Sequence, residues 1–257
     1  MKTKAKLPGI IALTGILAFS ITACAYNTEE EEDRIENPYL GATLSISGQQ
    51  VWKRNVYAAK LSQSHVPYYG DHDIDAYVYM TNDGENYYTK DLIPQGEGKI
   101  NNGILSFTVP EPDANLHLLE WQHFVSSCFS FWDYVHSRDI NVKGNMLLLY
   151  AYTGSNPIDP LDRERFTSTS SSITCETILY IYVNKDCVIT GDPKEAVRDG
   201  FYLYSSERLY LPLKKGWNMV SRKETYGVHL SGIATISMKV NQIKNPESYR
   251  WVMQDVQ

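Results

Sequence analysis

Basic residues, cysteines and long apolar runs are all scarce in this chain of 257 residues, and each shortage excludes something. There are 24 Lys and Arg against 30 Asp and Glu, and three of the lysines (Lys2, Lys4 and Lys6) precede Cys24 with no acid beside them. Past that point 21 basic residues face the same 30 acids, so the formal charge moves from −6 to −9. So acidic a surface argues against a nucleic-acid partner and against adhesion to anionic lipid by charge alone. No Gly-x-Ser-x-Gly elbow, His-Glu-x-x-His pair, phosphate-cradling glycine loop or Cys-x-x-Cys pair occurs, so no catalytic class and no cofactor is indicated. No repeat of roughly 20–50 residues runs through the chain, which excludes solenoids and propellers.

Four cysteines are present, Cys24, Cys128, Cys175 and Cys187. With Cys24 set aside, three remain and cannot all pair. A straight strand over Ile178–Val183, rising about 3.3 Å per residue, would carry Cys175 and Cys187 too far apart to bridge. A disulfide would therefore join Cys128 to Cys175 or Cys187, and three buried reduced thiols are the alternative.

The one sizeable apolar run, Leu7–Ile21 (LPGIIALTGILAFSI), follows the three lysines and stops before Thr22-Ala23-Cys24. A positive start, an apolar middle and small residues at the end are the plan of a secretory signal. As a helix rising about 1.5 Å per residue the run spans roughly 22 Å, short of a hydrocarbon core of about 30 Å. Ile21-Thr22-Ala23-Cys24 resembles the lipobox of bacterial lipoproteins, with Ile21 and Thr22 departing mildly from the preferred residues. The resemblance implies cleavage after Ala23, a diacylglycerol on the Cys24 sulfur, and acylation of the new amino group. Two or three acyl chains, at about 0.8 kcal/mol per buried methylene, anchor a protein durably. The expected partner is thus a membrane, reached through lipid, at the cell envelope and in particular the outer membrane, with periplasmic or surface exposure.

Residues 1–23 are accordingly read as signal, and 24–39 as the lipidated cysteine followed by a tether. Ala25–Pro38 (AYNTEEEEDRIENP) has an unbroken acidic run at Glu29–Asp33 and little to bury, so it extends by self-repulsion. It serves either as a spacer for surface display or as a plain solvated linker.

From Leu40 on, short runs rich in β-branched and aromatic residues alternate with turn signals; 19 Tyr and 5 Trp reinforce the pattern. Asp75–Met80 (DAYVYM) ends at the turn Thr81-Asn82-Asp83-Gly84. An Asn102-Gly103 turn feeds Ile104–Val109, with Leu105, Phe107 and Val109 on one face. Met146–Tyr152 (MLLLYAY) and Ile178–Val183 (ILYIYV) read as central strands, and Asn184-Lys185-Asp186 as a turn into Cys187–Thr190. Leu209–Leu213 leads into a hairpin turn at Lys214-Lys215-Gly216, and Ile233–Val240 and Tyr249–Met253 finish the sheet. Helical spacing suggests one short helix at Leu116–Ser126, and Ser155–Ser172 reads as a long polar loop. The fold class expected is mainly β: an antiparallel β-sandwich-like domain, or two small sandwiches dividing near Pro110–Asn115 into regions 40–112 and 113–257.

Gly98–Pro110 (GKINNGILSFTVP), Ile178–Gly191 (ILYIYVNKDCVITG) and Leu211–Val220 (LPLKKGWNMV) together resemble a layout in uncharacterised lipoproteins of treponemes and related spirochaetes. The likeness covers most of the mature chain. Its motifs are strand and turn signatures, so it implies fold and address and supplies no activity.

Four groups of residues merit a functional reading. Asp71, Asp73 and Asp75 alternate and could turn three carboxylates to one side of a loop toward calcium, although the glycine and distant glutamate of an EF-hand are missing; a solvated loop is the plainer reading. His65 and His72 are conceivable transition-metal ligands. Tyr68, Tyr69, Tyr87 and Tyr88 lie in loop-like surroundings, where flat rings can stack on sugars. Cys128 has His123 and His136 near it in sequence, but its aromatic neighbours point to an inert thiol. These features favour a non-enzymatic binding, adhesion or structural module with a glycan or protein ligand. The alternative is a hydrolase, including a carbohydrate-active one, which would need two carboxylates facing each other in a cleft.

Overall fold

The computed structural model describes residues 39–56, 63–79, 92–113, 115, 118–130, 132–153, 156–168, 172–194, 197–199, 202–228, 234–241, 243 and 245–253. The signal, Cys24, the acidic tether, the turn at Thr81–Gly84 and both Tyr87 and Tyr88 lie outside them. In the first half the strands are β1 (Tyr39–Gly41), β2 (Leu44–Val56), β3 (Gln63–Pro67), β4 (His72–Tyr79), β5 (Leu92–Asn101) and β6 (Ile104–Val109). A helix, α1 (Trp121–Cys128), is followed by β7 (Asp133–Ser137), β8 (Gly144–Thr153), β9 (Asn156–Ser168), β10 (Ser172–Val183) and β11 (Cys187–Asp192). The chain continues through β12 (Val197–Asp199), β13 (Tyr202–Ser206), β14 (Leu209–Leu213), β15 (Gly216–Val228) and β16 (Ala234–Asn241). A 3₁₀ turn at Pro246–Ser248 leads into β17 (Arg250–Met253).

Local chemistry accounts for the best-defined hairpin. Asn102 and Gly103 take positive φ of 47° and 78°, as a two-residue hairpin turn matched to strand twist requires. The register then buries Leu105, Phe107 and Val109 and exposes the residues between them. The mainly β architecture expected from the sequence is what the structure shows.

Eight strands close on themselves in the order β10, β8, β4, β5, β6, β2, β17, β9 and back to β10. All these pairings are antiparallel except β17 on β2, which is parallel. The barrel is filled by side chains: Trp251 stacks on Tyr180 with centroids 5.9 Å apart and meets Phe107 edge-on at 5.6 Å. Closure removes most of the free edges that an open sheet leaves unpaired.

β10 and β15 form a wall with two buried faces. Ile178, Tyr180 and Tyr182 point into the barrel, while Leu179, Ile181 and Val183 point into a second core with Phe124, Phe129, Ile189 and Leu211. That second core is covered by α1 and by a small sheet of β14, β11 and β7. Burial on both sides explains why Ile178–Val183 is an unbroken apolar run.

Several sequence expectations are corrected. Strands before and after residue 112 pair directly, β4 with β8 and β2 with β17, so the two regions share one barrel and do not separate into two sandwiches. Within the polar stretch Ser155–Ser172 the described residues are not loop: thirteen residues from Asn156 are β9, whose buried positions carry Arg163 and Glu164 and so disguise a strand, and Ser172 opens β10. Lys214–Gly216 is a corner between sheets, since β14 pairs with β11 and β15 with β10. The fully buried Asn218 amide pins that corner, accepting from the Lys214 N–H at 3.0 Å and donating to the Lys214 and Gly216 carbonyls at 2.8 Å each. The helix begins at Trp121 because Leu119 is held extended, its N–H and C=O bonded to Gly144 at 3.0 and 3.1 Å. Cys128, Cys175 and Cys187 are all free thiols. Among the described residues no helix is long and apolar enough to cross a membrane.

Candidate functional site

The outer face of the barrel carries a polar and aromatic array where β4 lies between β5 and β8. Along β4, Ile74, Ala76 and Val78 are fully buried, so Asp73, Asp75 and Tyr77 turn outward. Their neighbours across the strands are fixed by register. Lys99, Asp73 and Tyr152 form one row, and Glu97, Asp75 and Tyr150 the next.

Asp73, Asp75, Tyr77, Glu97, Lys99 and Tyr152 line an open hollow of about 820 Å³, with Tyr150 beside it. Within it the Tyr152 hydroxyl donates to the Tyr77 oxygen at 2.7 Å, and Tyr77 donates to Asp75 Oδ2 at 3.0 Å. The Tyr150 ring meets Tyr77 edge-on at 6.0 Å. Burial, together with hydrogen bonds to Tyr152 and Asp75, pushes the Tyr77 phenol far above its ordinary range, so it stays a donor. Among the described residues the side chains of Asp73, Glu97 and Lys99 have no hydrogen-bond or ion-pair partner. Asp75 and Glu97 stand directly opposite each other, a like-charge pair that costs a sheet stability. Chemically, the hollow offers carboxylate acceptors, an ammonium donor and phenols at strand spacing, which suits a ligand rich in hydroxyl groups.

The residues singled out from sequence are placed as follows. Asp73 and Asp75 share this face, but on a strand and not on a loop. Asp71 precedes the strand and accepts the Asn102 backbone N–H at 2.5 Å, bracing the hairpin turn. Among the described residues no group of three or more His, Cys, Asp and Glu is arranged to hold a metal ion, so the three aspartates do not form the oxygen cage that calcium needs. Tyr68 packs against the barrel core with its ring 5.4 Å from His72, and His72 Nδ1 lies 3.2 Å from the Tyr152 carbonyl. Tyr69 beside it is exposed. His65 contacts Glu164 and lies apart from His72's partners.

Tyr77, Tyr150, Tyr152, Glu97 and Lys99 were missed by sequence reasoning. Their signal is period two: Asp73-x-Asp75-x-Tyr77 and Tyr150-x-Tyr152 each put a polar or aromatic group at every second position of an otherwise apolar strand.

A second polar cluster holds the wall on the far side of β17. The Glu164 carboxylate is fully buried and receives Arg54 Nε at 3.2 Å, the Arg54 Nη2 group, and His65 Nε2 at 3.1 Å. Burial pushes its pKa up, but the His65 hydrogen bond and the Arg54 charge outweigh burial and hold it below the usual carboxylate range. Cys175 lies 3.6 Å from the same carboxylate. Burial and Glu164 push its thiol up to about 12, and burial and Asp186 push Cys187 up to about 12 as well. Burial likewise drives Cys128 well above its ordinary value, so none of the three is built as a nucleophile.

No family model, curated protein or solved structure matches the chain, so the function must be read from its own residues.

Proposed function

We propose that the chain is the precursor of a cell-envelope lipoprotein, held by acyl chains on Cys24, whose β globule binds a glycan in the hollow of β4, β5 and β8. The anchor rests on Lys2–Lys6, the apolar run to Ile21 and the lipobox-like Ile21–Cys24. The ligand reading rests on one observation: the Tyr152, Tyr77 and Asp75 hydrogen-bond chain on an outward strand face, flanked by the uncommitted Asp73, Glu97 and Lys99. Sugars present hydroxyls at comparable spacing and flat faces to aromatic rings, so phenols and carboxylates side by side match both kinds of group.

A glycan array probed with wild-type protein and with Tyr77→Phe and Asp75→Asn tests the ligand. Binding that falls about tenfold or more in both variants supports the reading, since hydrogen bonds to charged groups carry about 1.5–3 kcal/mol; an array silent for wild type overturns it. Cys24→Ala tests the anchor by releasing the protein to the aqueous phase in detergent partition, and unchanged partition would refute lipidation.

The hydrolase alternative has one observation in its favour, the facing carboxylates of Asp75 and Glu97. It predicts cleavage of whichever glycan binds and loss of cleavage in Glu97→Gln. Recovery of that glycan intact after prolonged incubation would remove it.

A further inference from the structure

The barrel wall has a fork. β8 pairs with β10 only from Gly144 to Met146 and with β9 only from Tyr150 to Thr153, while β9 meets β10 only from Arg163 onward. Between these three short ladders the strands spread and leave a cavity of about 180 Å³, lined by both faces of the wall.

Arg163 lines this cavity and is only 6% exposed. Its Nη2 donates to the Pro246 carbonyl at 2.8 Å, Nη1 reaches the Tyr180 hydroxyl at 3.5 Å and the Met219 sulfur at 3.9 Å, and its guanidinium lies 5.8 Å from the centre of the Trp251 ring. The Nε–H is buried and has no partner. Among the described residues no carboxylate stands within ion-pair distance of it, although Asp162 also lines the cavity. The other guanidinium at the cavity, Arg222, is already paired with Glu224 at 2.9 Å.

A guanidinium never loses its proton, so Arg163 keeps a full charge in a largely apolar setting, and a charge so placed requires an anion or a dense set of acceptors. The acceptors present are one carbonyl, one long contact to a phenol and a weak sulfur. By contrast, Arg54 and Arg165 each have a carboxylate, Glu164 and Glu176 respectively. Among the described residues Arg163 is thus a buried cation without a counter-charge.

We infer that the fork is a binding site for a small organic anion, a monocarboxylate whose carboxylate caps the Arg163 Nε–H and whose apolar body lies against Leu147, Leu149, Leu161 and Ile178. The lining selects an apolar body. A volume near 180 Å³, close to the roughly 150 Å³ of an apolar cavity that takes benzene, limits it to a short chain or a single ring. This site is separate from the outer hollow and does not depend on the glycan reading.

Butyrate and benzoate are the probes, with butyramide and benzamide as neutral counterparts of the same shape and sodium chloride and phosphate as ionic controls. The full chain in neutral detergent is titrated with each at constant ionic strength, following thermal midpoint and Trp fluorescence, because Trp251 lies beside the guanidinium. The site predicts that a carboxylate raises the midpoint and shifts the fluorescence while the amides and inorganic anions do not. Arg163→Met should weaken carboxylate binding about 10- to 100-fold, the loss of a charge-assisted contact. Should that variant fail to fold, the wild-type comparison of acid with amide still decides. Equal responses to butyrate and butyramide, equal responses to butyrate and chloride, or no response to either acid would each overturn the proposal, as would undiminished binding by folded Arg163→Met.

Discussion

Replacing Glu164 by Gln keeps the volume of a fully buried side chain and removes only its charge, which leaves Arg54 and His65 facing an amide. Removing one member of a buried ion pair costs about 3–5 kcal/mol when the other stays buried. Arg54 is 19% exposed and can turn partly to water, which lowers the expected loss to about 2–4 kcal/mol. For a domain of this size each kcal/mol moves the midpoint by about 2–4 °C, so thermal unfolding should come roughly 5–15 °C earlier. Urea denaturation followed by Trp fluorescence measures that difference in free energy directly, at each pH in turn. The dependence on pH carries the stronger test. Because the folded carboxyl sits below the usual range, its contribution is complete above the unfolded value of about 4.3 and fades as pH falls through the folded value. The gap between wild type and Glu164→Gln should therefore be present from about pH 7 to pH 5.5 and close in stronger acid. A gap below about 0.5 kcal/mol at neutral pH, or one that persists unchanged in acid, would refute the charge argument.

Gly103 has a φ of 78° and lies against the Tyr68 backbone, where a Cβ would run into the Tyr68 carbonyl oxygen. Gly103→Ala should thus cost about 1–3 kcal/mol in urea denaturation, and a neutral result would mean that the loop over Asn102-Gly103 is not packed as described. With thiols raised to about 12, Cys175 and Cys187 hold about 10⁻⁴ of their sulfur as thiolate at pH 8. Iodoacetamide should label them about a thousandfold more slowly in the native protein than after unfolding, as read by mass spectrometry. Rapid native labelling would contradict their burial.

The sequence was most readable where one face of a strand is buried and the other is not. In β6 the alternation of Leu105, Phe107 and Val109 with polar residues carries both element and face. In β10 the unbroken Ile178–Val183 revealed a central strand but not why it is apolar throughout, because the second core depends on a sheet from elsewhere in the chain. β9 was hidden for the opposite reason. Its buried positions hold Arg163 and Glu164, whose partners Pro246, Arg54 and His65 are distant in sequence, so a strand stabilised by polar contacts has the composition of a loop. Closure of the barrel was equally out of reach, since β17 joins β2 from the other end of the chain and no local signal encodes that pairing. At the candidate site the aspartates stood out by composition, whereas Tyr77 and Tyr152 blended into runs that favour strands anyway.

The most direct test of the account is an amide-resolved NMR titration of the globule with an array-positive glycan. Shifts concentrated at Asp73–Tyr77, Glu97–Lys99 and Tyr150–Tyr152 are the predicted result. Shifts confined to the small sheet of β7, β11 and β14, or to the barrel's opposite side around Glu164, would contradict it.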